Sequence, residues 1–271
     1  MTDDLEQRLR FAEGLAIEAG AEAHRWFRDL DSLHVEHKGP QDVVSEADRS
    51  VERMIRAAIA KAFPDDGFLG EESGSAQING DRPIWVVDPI DGTQCFLAGI
   101  PTWCVSIGLV SGGRPVGGVI RDPNAAETFT GLAGHGATCN GRPMAPTDSG
   151  DFTSGLTEVG FSRRIPAGPT VRLIHDLIDA GGIYHRGGSG ALGLAYVAAG
   201  RYIAYFEGHM NSWDSVAGIA LISAAGGWTN DILHGNGLLD GAVIAASGQR
   251  LAPALKELAG SVGYTVLEPP G

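Results

Sequence analysis

The stretch Ile84-Trp85-Val86-Val87-Asp88-Pro89-Ile90-Asp91-Gly92-Thr93 constrains this chain more than any other. Four β-branched or aromatic residues in succession predict a strand inside a core. Pro89 has no ladder N–H to give, so the strand is expected to end there, leaving Asp88 and Asp91 at its carboxyl end. Gly92 allows a tight backbone path, and Thr93 is a good helix cap. Together they would aim the next backbone N–H groups outward at the mouth of a helix, where anions are favoured. Two carboxylates this close repel unless a proton or a divalent cation lies between them. Hard oxygen ligands suit Mg2+, which keeps several waters and takes further ligands from substrate phosphates. The same residues also read as a solvated Asp-Pro turn ahead of a capped helix, so other acidic positions have to decide.

Two such positions exist. Gly70-Glu71-Glu72-Ser73-Gly74 follows the apolar pair Phe68-Leu69 at another expected strand end. Asn211-Ser212-Trp213-Asp214 opens an apolar stretch, Val216 to Ala225, with helical spacing, which places Asp214 in the first turn of a largely buried helix. Burying an aspartate there without a partner is costly. Each site alone reads as structure; the three together read as a metal constellation.

Gly-Glu-Glu, then Asp-Pro-Ile-Asp-Gly-Thr, then Trp-Asp before a glycine-ended helix resembles the inositol monophosphatase family, within the lithium-sensitive, magnesium-dependent phosphatases. Further landmarks fit that resemblance over nearly the whole chain: Lys38 and Asp42 in His37-Lys38-Gly39-Pro40-Gln41-Asp42, Asp48 at a helix start, Gly188-Ser189-Gly190, and Glu207 seven residues before Asp214. The resemblance implies metal ligands at Glu71, Asp88, Asp91, Asp214 and the main-chain oxygen of Ile90, holding two or three Mg2+ ions. It implies that Gly92 and Thr93 hold phosphate and water, and that Asp48 acts through the Thr93 hydroxyl to help deprotonate the attacking water. Lys38 would stand near the phosphate. Substrate contacts are expected from Glu71, Ile90, Asp91, Gly92, Thr93, Gly188, Ser189, Gly190, Glu207 and Asp214.

Electrostatics agrees with a metal-dependent site. With 20 basic and 33 acidic residues, net −13, the chain cannot attract a phosphate dianion unaided. Cations would have to invert the local field, and two ions roughly 3.5–4 Å apart can clamp a phosphoryl group for in-line attack by water. No Gly-x-Ser-x-Gly elbow and no Cys with an evident His base is present, which suits direct attack without a covalent intermediate. The acidity also argues against a nucleic-acid partner, since no Lys/Arg stripe is available to replace counterions. Cys95, Cys104 and Cys139 have no metal-ligand spacing and read as reduced thiols. Among eight scattered histidines, His209 stands near Asp214 and within reach of a substrate. No early basic-plus-apolar signal and no membrane-length apolar run is seen, so a cytoplasmic protein is expected.

Leu5, Leu9, Ala12, Ala16, Ala19, Ala23 and Trp26 predict a long amphipathic opening helix with a small face, and Val51 to Ala62 a second one stopped by Pro64. Trp103 to Val110, Val116 to Arg121 and Glu127 to Leu132 predict an antiparallel meander. Residues 140–153 read as a linker between two tightly joined halves, at about 1–145 and 151–271, of one phosphatase domain. In the second half strands and helices alternate: Gly155 to Phe161, Val171 to Ala180, Ile183 to His185, Ser189 to Ala199 and Tyr202 to Phe206.

The resemblance implies a layered α/β fold, an αβαβα sandwich, and a homodimer, with Pro101, Trp103 and Cys104 as candidates for the dimer contact. It points to a phosphomonoesterase acting on a small phosphorylated polyol, inositol 1-phosphate foremost. Glu207 is placed to accept hydrogen bonds from two vicinal hydroxyls. Histidinol phosphate is the alternative, its amine pairing with Glu207. A further alternative is a non-catalytic regulator that binds the transcription machinery.

Overall fold

The computed structural model describes residues 2–33, 35–39, 42–76, 78 and 82–269. Helix α1 (Thr2–Phe27) leads through a hairpin of β1 (Val35–Gly39) and β2 (Asp42–Ser45) into helix α2 (Glu46–Ala62). Strands β3 (Gly67–Gly70), β4 (Gly74–Ala76) and β5 (Ile84–Asp91) come next, then the short helix α3 (Thr93–Leu97). Strands β6 (Cys104–Ser111), β7 (Arg114–Asp122), β8 (Glu127–Leu132), β9 (Gly136–Cys139) and β10 (Arg142–Pro143) complete an eight-stranded sheet ordered β10-β9-β8-β7-β6-β5-β3-β4. Its pairs are antiparallel except β3 with β5. The chain continues with β11 (Leu156–Val159), α4 (Ala167–Asp179), β12 (Ile183–His185), α5 (Gly190–Ala198), β13 (Ala204–Met210) and α6 (Ser212–Ala224). It ends with β14 (Trp228–Thr229), α7 (Gly237–Asp240), β15 (Ala242–Ser247) and α8 (Ala252–Ser261), and the second sheet is ordered β12-β11-β13-β15-β14. The two sheets divide between Pro143 and Leu156.

Helix–sheet contacts stack five layers: α1 and α2, the first sheet, α5 and α6, the second sheet, then α4 and α8. This is an αβαβα sandwich. The small face of α1 (Ala12, Ala16, Ala19, Ala23) is buried because alanine lets the helix axis come close to the sheet. Arg8 on that helix donates from Nε and Nη2 to both oxygens of Asp66, at 2.7 and 2.8 Å, and Trp85 Nε1 donates to the same carboxylate at 2.8 Å. Helix α6 is apolar on nearly every side because it lies between sheets, and it is largely buried as the spacing from Val216 to Ala225 suggested. Gly108 and Gly118 are register partners on β6 and β7 and form a trough for it. A Cβ on Gly118 would lie 2.3 Å from the Ala217 carbonyl oxygen, and one on Gly108 would lie 2.6 Å from Val216 Cγ1.

Three expectations change. Strand β5 does not stop at Pro89 but runs on to Asp91, with a register shift against β6 between Asp88 and Asp91. A proline is tolerated in such an irregularity because no ladder N–H is required of it. Residues 140–153 are not free linker throughout: β10 pairs with β9, and a 3-10 turn begins at Phe152. Trp103 and Cys104 are wholly buried, leaving Ile100 and Pro101 as the exposed residues of the segment proposed for dimer contact. No helix among the described residues is long and apolar enough to cross a membrane.

Candidate active site

The β5 irregularity creates the first half of the site. Ile90 N–H donates to Asp88 Oδ1 at 2.8 Å, so the aspartate side chain satisfies a backbone group that the shifted ladder leaves over. Gly92 follows at φ +95, a left-handed conformation that a β-carbon would strain. Gly92, rather than Thr93, is the N-cap of α3; Thr93 is the first helical residue and makes no side-chain cap. Its hydroxyl instead lies 3.3 Å from Asp48 Oδ1 and 3.1 Å from the Ile90 carbonyl. The expected helix mouth is only five residues long, so its macrodipole is small.

Asp48 comes from the start of α2. It closes a capping box with Ser45, accepting from Ser45 N at 2.8 Å and from Ser45 Oγ at 2.5 Å. Burial pushes its carboxyl above the usual range, against the pull of the Ser45 bonds. One turn later on the same buried face, Glu52 accepts the amide of Glu72 at 2.8 Å and so holds the Glu71-Glu72 turn.

The second half arrives on α6. Asp214 brings an oxygen into a group with Asp88 and Asp91 in which the three oxygens lie within 4.8 Å of one another. Asp88 is 2% exposed and Asp91 8%. Asp88 and Asp214 are within hydrogen-bonding reach of each other. Burial, then the charges of Glu71, Asp214 and Asp91, hold Asp88 well above the ordinary carboxylate range. Asp91 is pushed up to about 7, chiefly by burial and then by Asp214, although Ser189 Oγ (2.5 Å) and Ala191 N (2.7 Å) both donate to its Oδ2. Carboxylates arranged this way need a proton or a cation between them, and an all-oxygen donor set fits a hard divalent ion. Glu71 is near enough for its charge to act on Asp88 but stands outside the three-oxygen group.

Beside the carboxylates lies a cavity of about 170 Å³ that includes Ser189, Gly190, Tyr205, Glu207 and Arg186. Ser189 caps α5 by accepting Leu192 N. Tyr205 O–H donates to Glu207 Oε2 at 2.7 Å, so one carboxyl oxygen already has a partner; burial nevertheless pushes Glu207 up to about 8. A β-carbon at Gly190 would lie 2.1 Å from Met210 Cε, so methionine fills the space a larger residue there would take. The structure therefore brings Asp91, Gly188, Ser189, Gly190, Glu207 and Asp214 to one hollow; Asp88 meets Asp91 and Asp214 behind it, and Thr93 links Asp48 to the Ile90 carbonyl on the Gly92 side. His209 does not join them, its Nε2 lying 2.9 Å from the Asp240 carbonyl. Lys38 lies in β1, and its side chain, like that of Asp42, is outside the described residues.

These shifts have a pH consequence for the metal-free protein. Asp91 and Glu207 keep protons that the unfolded chain, near its ordinary values of 3.8 and 4.5, has released. The native state then binds more protons, so their contribution is complete below about pH 4 and is lost as pH rises through 7 to 8. The melting temperature in EDTA is expected to fall between pH 5 and 8.5. Saturating Mg2+ should flatten that fall, because a cation requires the ionised carboxylates. Scanning calorimetry across that range checks it; a melting temperature that climbs with pH in EDTA contradicts the assignment.

Comparison with known proteins agrees with this geometry. The sequence matches the inositol monophosphatase family over residues 4–263. It is 38% identical to the inositol-1-monophosphatase of Rhizobium meliloti, covering 89% of this chain and 92% of that protein. It is also 40% identical to the Nus factor SuhB of Xylella fastidiosa, covering 80% and 78%. Among solved structures, the extragenic suppressor protein suhB of Bartonella henselae superposes with a TM-score of 0.86 at 33% identity, over 96% of this chain and all of that one. Inositol monophosphatase from Anabaena gives 0.82 at 32%, over 95% and 97%. A sequence match spanning both sheets, and a backbone that follows these structures almost end to end, make this chain a member of the inositol monophosphatase family.

Proposed function

We propose that the protein is a Mg2+-dependent phosphomonoesterase acting on a small phosphorylated polyol, with inositol 1-phosphate as the leading substrate. The observation that carries this reading is the meeting of the buried Asp88 and Asp91 with the half-buried Asp214, brought from two distant parts of the chain. Those three, Glu71 and the Ile90 main-chain oxygen would hold the ions. A bound divalent cation supplies a Lewis acid for the phosphoryl oxygens and lowers the pKa of a coordinated water.

The chain's own groups do the rest. Thr93 Oγ can take the proton of the attacking water as its own proton passes to Asp48, leaving hydroxide, a neutral threonine and a protonated Asp48, whose raised affinity for protons makes it the better base. Main-chain N–H groups at Gly92 and Thr93 orient the phosphate. Glu207 reads the leaving group with Oε1, since Tyr205 occupies Oε2. A carboxyl held near 8, with Arg186 in the same cavity, favours an uncharged polyol over the ammonium of histidinol.

Phosphate release from inositol 1-phosphate and histidinol phosphate, each with Mg2+ and with EDTA, tests the reading. Metal-dependent release led by inositol 1-phosphate is expected. Histidinol phosphate in the lead would move the assignment to that ester, and no release from either would remove it.

A second reading rests on the relatives named Nus factor SuhB: a contact with the transcription machinery, made through protein surface rather than through the carboxylate cluster. Co-purification of RNA polymerase with the tagged chain, equal for wild type and Asp91→Asn, is its expected signature.

A further inference from the structure

Glu158 is a buried carboxylate, 3% exposed, near the end of β11, and nothing in the reaction described above uses it. Parallel register sets it opposite His185 on β12 and Tyr205 on β13. Its Oε1 accepts the main-chain N–H of Gly187 at 2.8 Å, and its Oε2 lies 3.2 Å from His185 Nδ1. Tyr202, whose hydroxyl is 3.1 Å from the same His185 nitrogen, also hydrogen-bonds to it. From above, α5 settles onto the pair: a β-carbon on Gly193 would lie 2.6 Å from the Tyr205 ring and 3.3 Å from the Glu158 carboxyl carbon.

Gly187 is thus held from two sides, its N–H by Glu158 and its carbonyl by the Cys95 thiol at 3.6 Å. Two residues further on, Ser189 Oγ donates to Asp91 Oδ2, and the Ala191 amide donates to the same oxygen. The glycine pair Gly187-Gly188 has no side chains with which to hold its own position, so the clamp on Gly187 fixes Ser189 from one side while its cap on α5 holds it from the other.

We propose that Glu158 is a positioning residue for the cation site: by anchoring Gly187 it fixes the turn that orients Asp91, and so it sets the affinity for the divalent ion. This rests on the reading of Asp91 as a metal ligand. The direct partners of a ligand are typically worth about 10–100-fold in metal affinity; Glu158 acts through one of them, so the lower end of that range, about tenfold, is expected.

Calorimetric titration of Mg2+ into the whole protein tests it without reference to turnover, using wild type, Glu158→Gln, Glu158→Asp and Glu158→Ala. Glutamine keeps an oxygen within reach of the Gly187 N–H and should bind Mg2+ within about threefold of wild type, whereas aspartate keeps the charge but is one methylene too short. The expected order is therefore wild type close to Gln, with Asp and Ala weaker by about tenfold. The reverse order, Asp close to wild type and Gln weak, would mean that Glu158 acts only through its charge, and it overturns the proposal. Equal affinity in all four also overturns it. If Glu158→Ala does not fold, the Gln and Asp pair decides. A wild type that takes up no Mg2+ instead removes the reading of Asp91 itself, and the inference with it.

Discussion

Asp91→Asn is expected to lower metal-dependent phosphate release by about 10³-fold or more, while making the metal-free protein harder to unfold. The activity loss follows from the proposed role of Asp91 as a charged ligand, since a bound cation would supply several kcal/mol of transition-state stabilisation. The stability gain follows from the surroundings: Asp91 is buried against Asp214, and its charge is opposed by desolvation. An amide of nearly the same shape keeps an oxygen for Ser189 Oγ or the Ala191 amide and carries no charge to repel its neighbours. Phosphate release against Mg2+ concentration gives the first number, and thermal unfolding in EDTA at pH 8 gives the second. A variant that keeps more than a tenth of wild-type activity would show that Asp91 is no ligand. One that melts lower in EDTA would show that the carboxylate is structural.

The second large effect lies away from the chemistry. Gly118→Ala should destabilise the protein by at least about 3 kcal/mol, the upper range for an overpacked core, or roughly 6–12 °C in melting temperature. The new methyl meets the Ala217 carbonyl oxygen at 2.3 Å and Ala217 Cα at 2.7 Å. These are helix backbone atoms, which cannot swing aside as the end of a long side chain could. Helix α6 must lift from β7, and Asp214, less than one turn earlier on the same helix, moves with it. Mg2+ affinity should therefore fall together with stability. Gly14→Ala on α1 is the control: nothing lies within 4 Å of its added carbon, and replacing a helical glycine there should be neutral or stabilising by about 0.5–1 kcal/mol. Paired thermal melts decide the matter, and a Gly118→Ala protein that melts with wild type would show that the sheet and helix yield.

Much of this architecture is legible in the sequence because it is written in local periodicity. The four-three spacing of Ala12, Ala16, Ala19 and Ala23 marks α1, and the alternation over residues 103–132 marks the meander. The acidic positions were legible because carboxylates at the ends of apolar runs conflict with their surroundings. What escaped depends on partners far away in sequence. Pro89 reads as a strand end until β6 is seen to pair past it with a shifted register. Thr93 reads as a cap until Asp48 is brought to its hydroxyl by α2. Glu158 lies in the strand expected from Gly155 to Phe161 with nothing local to single it out; only the parallel neighbours on both sides bury it. Glu52 carried a signal that could have been used, because it stands four residues after Asp48 on the face shared with Ile55 and Ile59.

The threading of α6 between the two sheets has a consequence for how the molecule assembles in time. Asp88 and Asp91 belong to a sheet finished by residue 143, but their third companion arrives on a helix made 70 residues later, which must slide its backbone into the Gly108–Gly118 trough before the carboxylates meet. Contacts of such long sequence separation cost loop-closure entropy before they are made. A divalent ion therefore finds no complete binding place in the nascent first half and cannot template it. On the proposed reading of these carboxylates as ligands, an ion is expected to act on the finished molecule, slowing the opening rate more than it changes the folding rate.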